Sequence, residues 1–153
     1  MGNEHRNARA SVWTSRRVTR GASKIRVLVV DDNVPAAQAL ASYLSLEGME
    51  CVAVFGGHAA VSVATEFRPH VIIMDISMPE CDGYQAALAL RGDARTKEVA
   101  IVAFTAFDET ELRQHDVDHE FDAYYQKGQT PSRLATLVTL FAHLREPDLC
   151  SSQ

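Results

Sequence analysis

Ile25-Arg26-Val27-Leu28-Val29-Val30-Asp31-Asp32-Asn33-Val34-Pro35 is the stretch on which the fold turns. Ile25 to Val30 is a β-branched run of strand length, continuously apolar at its end, as in a parallel strand buried on both faces. It stops at Asp31-Asp32-Asn33, and the spacing then becomes helical. From Pro35 to Glu47 a proline suits the first turn, Ala36, Leu40, Tyr43 and Leu44 make an apolar stripe, and Gly48 closes the segment.

The alternation continues downstream. Met49 to Phe55 reads as a second strand, and His58 to Phe67 as a helix ended by Pro69. His70-Val71-Ile72-Ile73-Met74 is a third strand ending at Asp75, and the loop Met78-Pro79-Glu80-Cys81-Asp82-Gly83 leads to a helix at about Tyr84–Arg91. Val99 to Phe104 is a fourth strand ending at Thr105, followed by a short acidic helix near Asp108–Gln114. Phe121 to Tyr125 is a fifth strand that stops just before Lys127. Thr130-Pro131 then caps a last helix with Leu134, Leu137, Val138, Phe141 and Leu144 on one face. Strands alternating with helices imply an α/β fold with a parallel sheet covered on both faces. Right-handed crossovers point to a flavodoxin-like doubly wound five-stranded sheet, (βα)5, of strand order 2-1-3-4-5.

Upstream the character changes. Residues 1–23 are rich in Arg, Ser, Asn and Thr without apolar period, and are expected to form a disordered basic arm. The domain proper is expected over 24–145, with a short polar tail at 146–153 and no output domain after Leu144. Six cations against Glu4 give residues 1–24 a net +5, so the other 129 residues carry -10 within a total of -5. So acidic a body argues against nucleic-acid binding by the domain itself and is compatible with a divalent cation. A length of 153 residues, 46% hydrophobic, suits one soluble domain. No apolar run approaches the roughly 20 residues of a membrane span, and no signal peptide is evident, so a cytoplasmic location is expected. Cys51, Cys81 and Cys150 lack metal-site or disulfide spacing and read as reduced thiols.

In such sheets ligands bind at the carboxyl ends of the strands. Asp31-Asp32, Asp75, Thr105 and Lys127 end four separate strands there. Crowded carboxylates repel unless a cation joins them, and hard oxygen ligands favour Mg²⁺. A carboxylate beside Mg²⁺ can act as a nucleophile toward phosphorus, with a hydroxyl and an ammonium group around the transferring oxygens. Taken singly, an Asp-Asp pair is most often a turn, and a strand-end Thr or Lys most often structural. Their joint order is what carries the reading.

The sequence resembles the receiver domain of two-component response regulators over about Lys24 to Leu144. The matching stretches are VLVVDDN at 27–33, VIIMDISMPECDG at 71–83, VAFTA at 102–106 and YYQK at 124–127. Thr105 follows Asp75 by 30 positions and Lys127 follows Thr105 by 22, as in the family. The resemblance implies Asp75 as phospho-acceptor and Asp31 and Asp32 as the acidic pair that positions Mg²⁺, with Asp32 favoured as the direct ligand. The backbone carbonyl of Ser77 would be a further ligand. Lys127 would pair with the phosphoryl group, Thr105 would hydrogen-bond to it, and Tyr124 would be the aromatic switch residue. Ala106 is small where the phosphoryl group enters, and Ser77 and Phe107 occupy positions that tune phosphoryl lifetime. The implied donor is a histidine kinase or histidine phosphotransfer protein, and the implied output is a downstream protein target or onward phosphotransfer. The chain would be a signalling switch that catalyses its own phosphorylation and dephosphorylation, not a turnover enzyme.

Three departures from the family stand out. Gly128 replaces the proline that follows the lysine, so a trans or a strained loop is expected there, with Lys127 sitting differently. His119-Glu120 occupies a turn where the family tends to have glycine, and Asp108 to Glu120 is unusually acidic. Three other readings compete with this one. A haloacid-dehalogenase phosphatase needs Asp-x-Asp after its first strand and a later acidic pair, neither present. A cobalamin-binding domain lacks its His-containing loop here. A degenerate receiver acting only as a docking module is the alternative that Gly128 favours. His115 and His119 could chelate a metal, and Cys81 could oxidise, but solvated charges and an inert thiol are the simpler readings.

Overall fold

The computed structural model describes residues 9–21, 23–76, 83–114 and 120–142. Strands β1 (Ala10–Val12), β2 (Arg26–Val30), β3 (Glu50–Val54), β4 (Val71–Asp75), β5 (Ala100–Thr105) and β6 (Ala123–Gln126) form one sheet of order β1-β6-β5-β4-β2-β3. Helices α1 (Val34–Leu46), α2 (Gly57–Phe67), α3 (Gly83–Arg91), α4 (Glu109–Arg113) and α5 (Pro131–Phe141) connect or follow the five parallel strands. With β1 set aside, the order is the expected 2-1-3-4-5.

The strand period of two sorts the core into two layers. Leu28, Val30, Ile72, Met74, Ile101 and Tyr124 face α2, α3 and α4, meeting Ala60, Ala64, Ala87, Leu90 and Leu112. Val27, Val29, Ile73, Val102 and Tyr125 face the other way, onto Ala37 and Leu44 of α1 and Leu134, Val138 and Phe141 of α5. All five residues of β4 are buried, which is why that strand reads as an unbroken apolar run. Each such buried Val or Ile contributes roughly 1.5–3 kcal/mol, and together they fix the strand that carries Asp75.

Helix boundaries follow local chemistry. The Asn33 side chain accepts from Ala36 N at 3.0 Å, capping α1 one residue earlier than Pro35 suggests. Gly48, at φ 94, ends the turn behind it. Asp108 and Glu111 form a reciprocal capping box that satisfies the first N–H groups of the short helix α4. Thr130 stands at the N-cap of α5, but its side chain makes no cap bond; its carbonyl accepts from the Tyr125 hydroxyl at 2.7 Å.

The arm differs from expectation. It is ordered from residue 9, and Ala10, Ser11 and Val12 join the sheet, pairing antiparallel with Tyr125, Tyr124 and Ala123. Trp13 N and Thr14 N donate to Asp122 O, and Val18 N to Phe141 O. An open edge beside β6 offers main-chain partners whatever the side chains of the added strand, so a polar segment without periodicity can fill it. The first eight residues and the tail from 143 lie outside the described residues.

Candidate phosphoryl-acceptor site

Each functional side chain is placed by a strand end. Asp31 follows β2, and its N–H donates to Val54 O at 3.1 Å, holding the chain at the sheet's rim. Asp31 Oδ1 accepts from Asn33 N at 2.9 Å, so the turn into α1 is built by the acid itself. Asp75 is the last residue of β4 and Thr105 the last of β5; the three are 2%, 4% and 2% exposed for Asp31, Asp75 and Thr105. Asp32 is exposed.

Carboxylate oxygens of Asp31, Asp32 and Asp75 all lie within 4.8 Å of one another. The donor set fits Mg²⁺: three hard oxygens converge, and in an octahedron of about 2.1 Å bonds opposite ligands stand about 4.2 Å apart. One exposed member leaves a side on which such a cation keeps its waters. Ser77, whose carbonyl the resemblance adds to the ligands, lies outside the described residues, as do Cys81, His115 and His119.

Lys127 closes the pocket from β6. Lys127 N donates to Thr105 O at 2.8 Å, so the ends of β5 and β6 are tied together. Its ammonium lies 3.0 Å from Asp31 Oδ2 and 3.5 Å from Asp75 Oδ1, and 5.3 Å from the Phe104 ring centroid. No peptide bond among the described residues is cis, and Gly128 adopts φ 97, a conformation closed to proline. Glycine thus gives the loop a different route, and Lys127 still reaches both carboxylates.

Gly83 governs the other wall. A Cβ there would meet Asp75 O at 2.5 Å and Ile76 Cα at 2.9 Å, and Gly83 N donates to Ile76 O at 3.1 Å. The start of α3 therefore lies directly against the backbone at the end of β4, an approach that a side chain would prevent. Beside the pocket, a groove lined by Ala36, Leu40, Tyr43, Phe104 and Pro131 runs between α1 and α5.

From Thr105 a chain of contacts leads away from the acids. Thr105 Oγ1 accepts from Phe107 N at 3.1 Å, and the Tyr124 hydroxyl donates to Phe107 O at 2.7 Å. Burial, together with the charges of Asp108, Glu109 and Glu111, pushes the Tyr124 phenol up to about 12. The Tyr124 ring is fully buried.

Residues 27–139 match the family described as the response regulator receiver domain. This chain belongs to that family. Among relatives of this receiver is the transcriptional regulatory protein PrrA of Mycobacterium tuberculosis, 36% identical over 118 residues, covering 77% of this chain and 48% of that protein. The chain spans about half the length of curated relatives such as ycf27 and PrrA. The chemotaxis protein CheY4 of Vibrio cholerae superposes with TM-score 0.73 at 25% identity, over 78% of this chain and 99% of that one. The receiver domain of sensor histidine kinase PA1611 from Pseudomonas aeruginosa, solved with magnesium in its active-site cleft, gives TM-score 0.69 at 26% identity, over 78% and 98% of the two chains. The receiver fold read from the sequence is thus borne out.

Two polar residues of this receiver escaped the sequence reading. Asp122, 1% exposed, receives Arg16 Nε and Arg91 Nη2 at 2.8 Å each, Thr14 Oγ1 at 2.7 Å and Ile101 N at 2.9 Å. Arg91 adds bonds to the carbonyls of Glu120, Lys97 and Val99. The one available signal was an acid at the mouth of an apolar strand, Phe121-Asp122-Ala123, with no cation near it in sequence.

Proposed function

We propose that Asp75 is the phospho-acceptor of this receiver, that Asp31 and Asp32 hold Mg²⁺ with it, and that Lys127 and Thr105 bind the transferred group. The observation that carries this reading is the convergence of three carboxylates with the Lys127 ammonium at the carboxyl ends of three strands. Mg²⁺, when bound, would neutralise the acids enough for an anionic phosphoryl group to approach.

An Asp75 carboxylate oxygen attacks phosphorus in line with the P–N bond of a phosphohistidine. The O–P bond forms as the P–N bond breaks, and the imidazole leaves neutral, protonated at its other nitrogen. Lys127 offers an ammonium and Thr105 a hydroxyl to the oxygens where charge spreads, worth far more in a half-dry pocket than in water. Thr105 then no longer bonds as it does now, and the change passes to Phe107 and Tyr124. Partners of this kind are a histidine kinase or histidine phosphotransfer protein upstream and a protein target downstream. Among the described residues no helix is long and apolar enough to cross a membrane, and the acidic body supports a cytoplasmic domain that binds protein and not nucleic acid.

Intact-mass analysis after incubation with acetyl phosphate and Mg²⁺ tests the assignment. One labile phosphoryl adduct is expected, absent from Asp75→Asn and absent without Mg²⁺. No adduct under any condition would overturn the acceptor role and favour the docking-only alternative.

A further inference from the structure

The arm covers the surface to which the Thr105–Tyr124 chain of contacts leads. Trp13 stacks on Tyr124, with ring centroids 6.3 Å apart and planes 7° apart. The indole N–H donates to Glu109 Oε2 at 2.7 Å, and the Arg113 guanidinium lies 4.3 Å from the indole centroid. One side chain of the arm therefore bridges β6, through Tyr124, and α4, through Glu109 and Arg113. On either side of it the arm is anchored by the β1 pairing and by Arg16 on the buried Asp122.

We propose that the face formed by the β6 edge and α4 is a docking surface occupied in cis by residues 10–16, and that its occupancy is linked to the state of the acidic pocket. Complementarity supports the first half. The surface supplies an open strand edge, an aromatic platform and two acids, Asp122 and Glu109, and the arm supplies a strand, an indole and Arg16. A strand of three residues, one stack and the partly exposed ion pairs of Arg16 with Asp122 and Glu98 are each modest contributions, which suits a reversible occupant and not a fixed part of the core. A protein target that adds a strand to this edge must displace the arm to do so.

The second half rests on the reading of Asp75 as acceptor. Two hydrogen bonds and one stack separate the Thr105 hydroxyl from Trp13: Phe107 N to Thr105 Oγ1, Tyr124 OH to Phe107 O, and Tyr124 to Trp13. A group on Asp75 that recruits the Thr105 hydroxyl alters the turn whose carbonyl anchors Tyr124, and so alters the platform beneath the indole. Linkage is reciprocal, so the arm in turn changes the affinity of the pocket for that group.

Trp13 is the sole tryptophan of the chain, so its emission reports the arm alone. The full chain is titrated with beryllofluoride, a phosphoryl mimic, in Mg²⁺, following tryptophan emission and acrylamide quenching, with ¹⁹F NMR as an independent measure of bound ligand. The docked arm is expected to shield Trp13 before ligand is added, and its quenching is expected to change in step with the bound ¹⁹F signal. Trp13→Ala is expected to shift beryllofluoride affinity severalfold, and Glu109→Gln, which keeps the fluorophore, to raise quenching without ligand. Trp13 quenched like free tryptophan in the unliganded chain would overturn the docking. A bound ¹⁹F signal with unmoved Trp13 and unchanged affinity in Trp13→Ala would overturn the linkage alone. Absence of any bound ¹⁹F signal would overturn the acceptor reading and the linkage with it, leaving the docking to stand or fall on the quenching.

Discussion

The Lys127 ammonium lies closer to Asp31, at 3.0 Å, than to Asp75, at 3.5 Å. In this pocket it is thus a counter-ion to Asp31 as much as a partner of Asp75. Lys127→Ala should therefore have opposite effects on two measurements. Mg²⁺ affinity by calorimetry should rise a few-fold, because a competing cation is gone. Phosphorylation by acetyl phosphate should slow by about 10²-fold, the usual cost of losing one donor to a transferring group. A parallel loss of both would show that Lys127 instead organises the acids.

Asp122 is the polar hinge between arm and body. Its carboxylate is buried and joined to Arg16 and Arg91, and breaking such a pair costs about 3–5 kcal/mol because the other charge is left behind. Asp122→Ala should lose roughly that in urea unfolding. Arg16→Ala should lose about 1 kcal/mol or less, since its side chain is 27% exposed and water replaces the partner. Equal losses would mean that the arm, not Arg91, dominates the network.

His70 makes the fold acid-sensitive. Burial, with the nearby charges of Arg26 and Arg20, lowers its pKa from 6.5 to about 4, and its Nδ1 accepts from Arg26 N at 2.9 Å. The folded chain therefore resists a proton that the unfolded chain takes up from pH 6.5 downward. The stability it contributes is fully present above pH 6.5 and is lost as pH falls through about 4, up to about 3 kcal/mol in all. Urea midpoints at pH 7.5, 5.5 and 4.5 should fall more steeply for the wild type than for His70→Asn, whose amide oxygen stands where Nδ1 does and can accept the same bond without titrating.

Gly83→Ala tests how tightly the end of β4 is packed. Its methyl would lie 2.5 Å from Asp75 O, and both clashing groups are backbone. A loss of about 1–3 kcal/mol in stability is expected. Phosphorylation of the folded variant should also slow, because the strand end must move to make room. Unchanged rates would show that the loop shifts and Asp75 does not.

Much of this was legible in the sequence, for definite reasons. Val71 to Asp75 is buried on both faces, and a strand so buried must be apolar throughout and announce its end with the first functional acid. Thr105 and Lys127 were found because strand ends position side chains regardless of packing details. Helix starts were less legible, since Asn33 caps α1 by one side-chain bond that periodicity does not report. The arm was missed because its strand depends on an edge built more than a hundred residues later. Nothing in Ala10-Ser11-Val12 marks it as β structure. Asp122 was missed for the same reason: its partners come from residues 14, 16, 91 and 101.

The pairing of β1 with β6 also bears on how these molecules treat one another. A parallel sheet of this order has two rims, at β3 and β6, and an uncovered rim is a template on which another chain can crystallise its own hydrogen bonds. Here the β6 rim is faced with a short strand flanked by Arg9 and Arg16, and the β3 rim begins with Glu50. Were residues 10–12 to lift away, the chain would expose the unpaired main chain of β6, so the short strand that covers this rim would also keep crowded copies from pairing edge to edge.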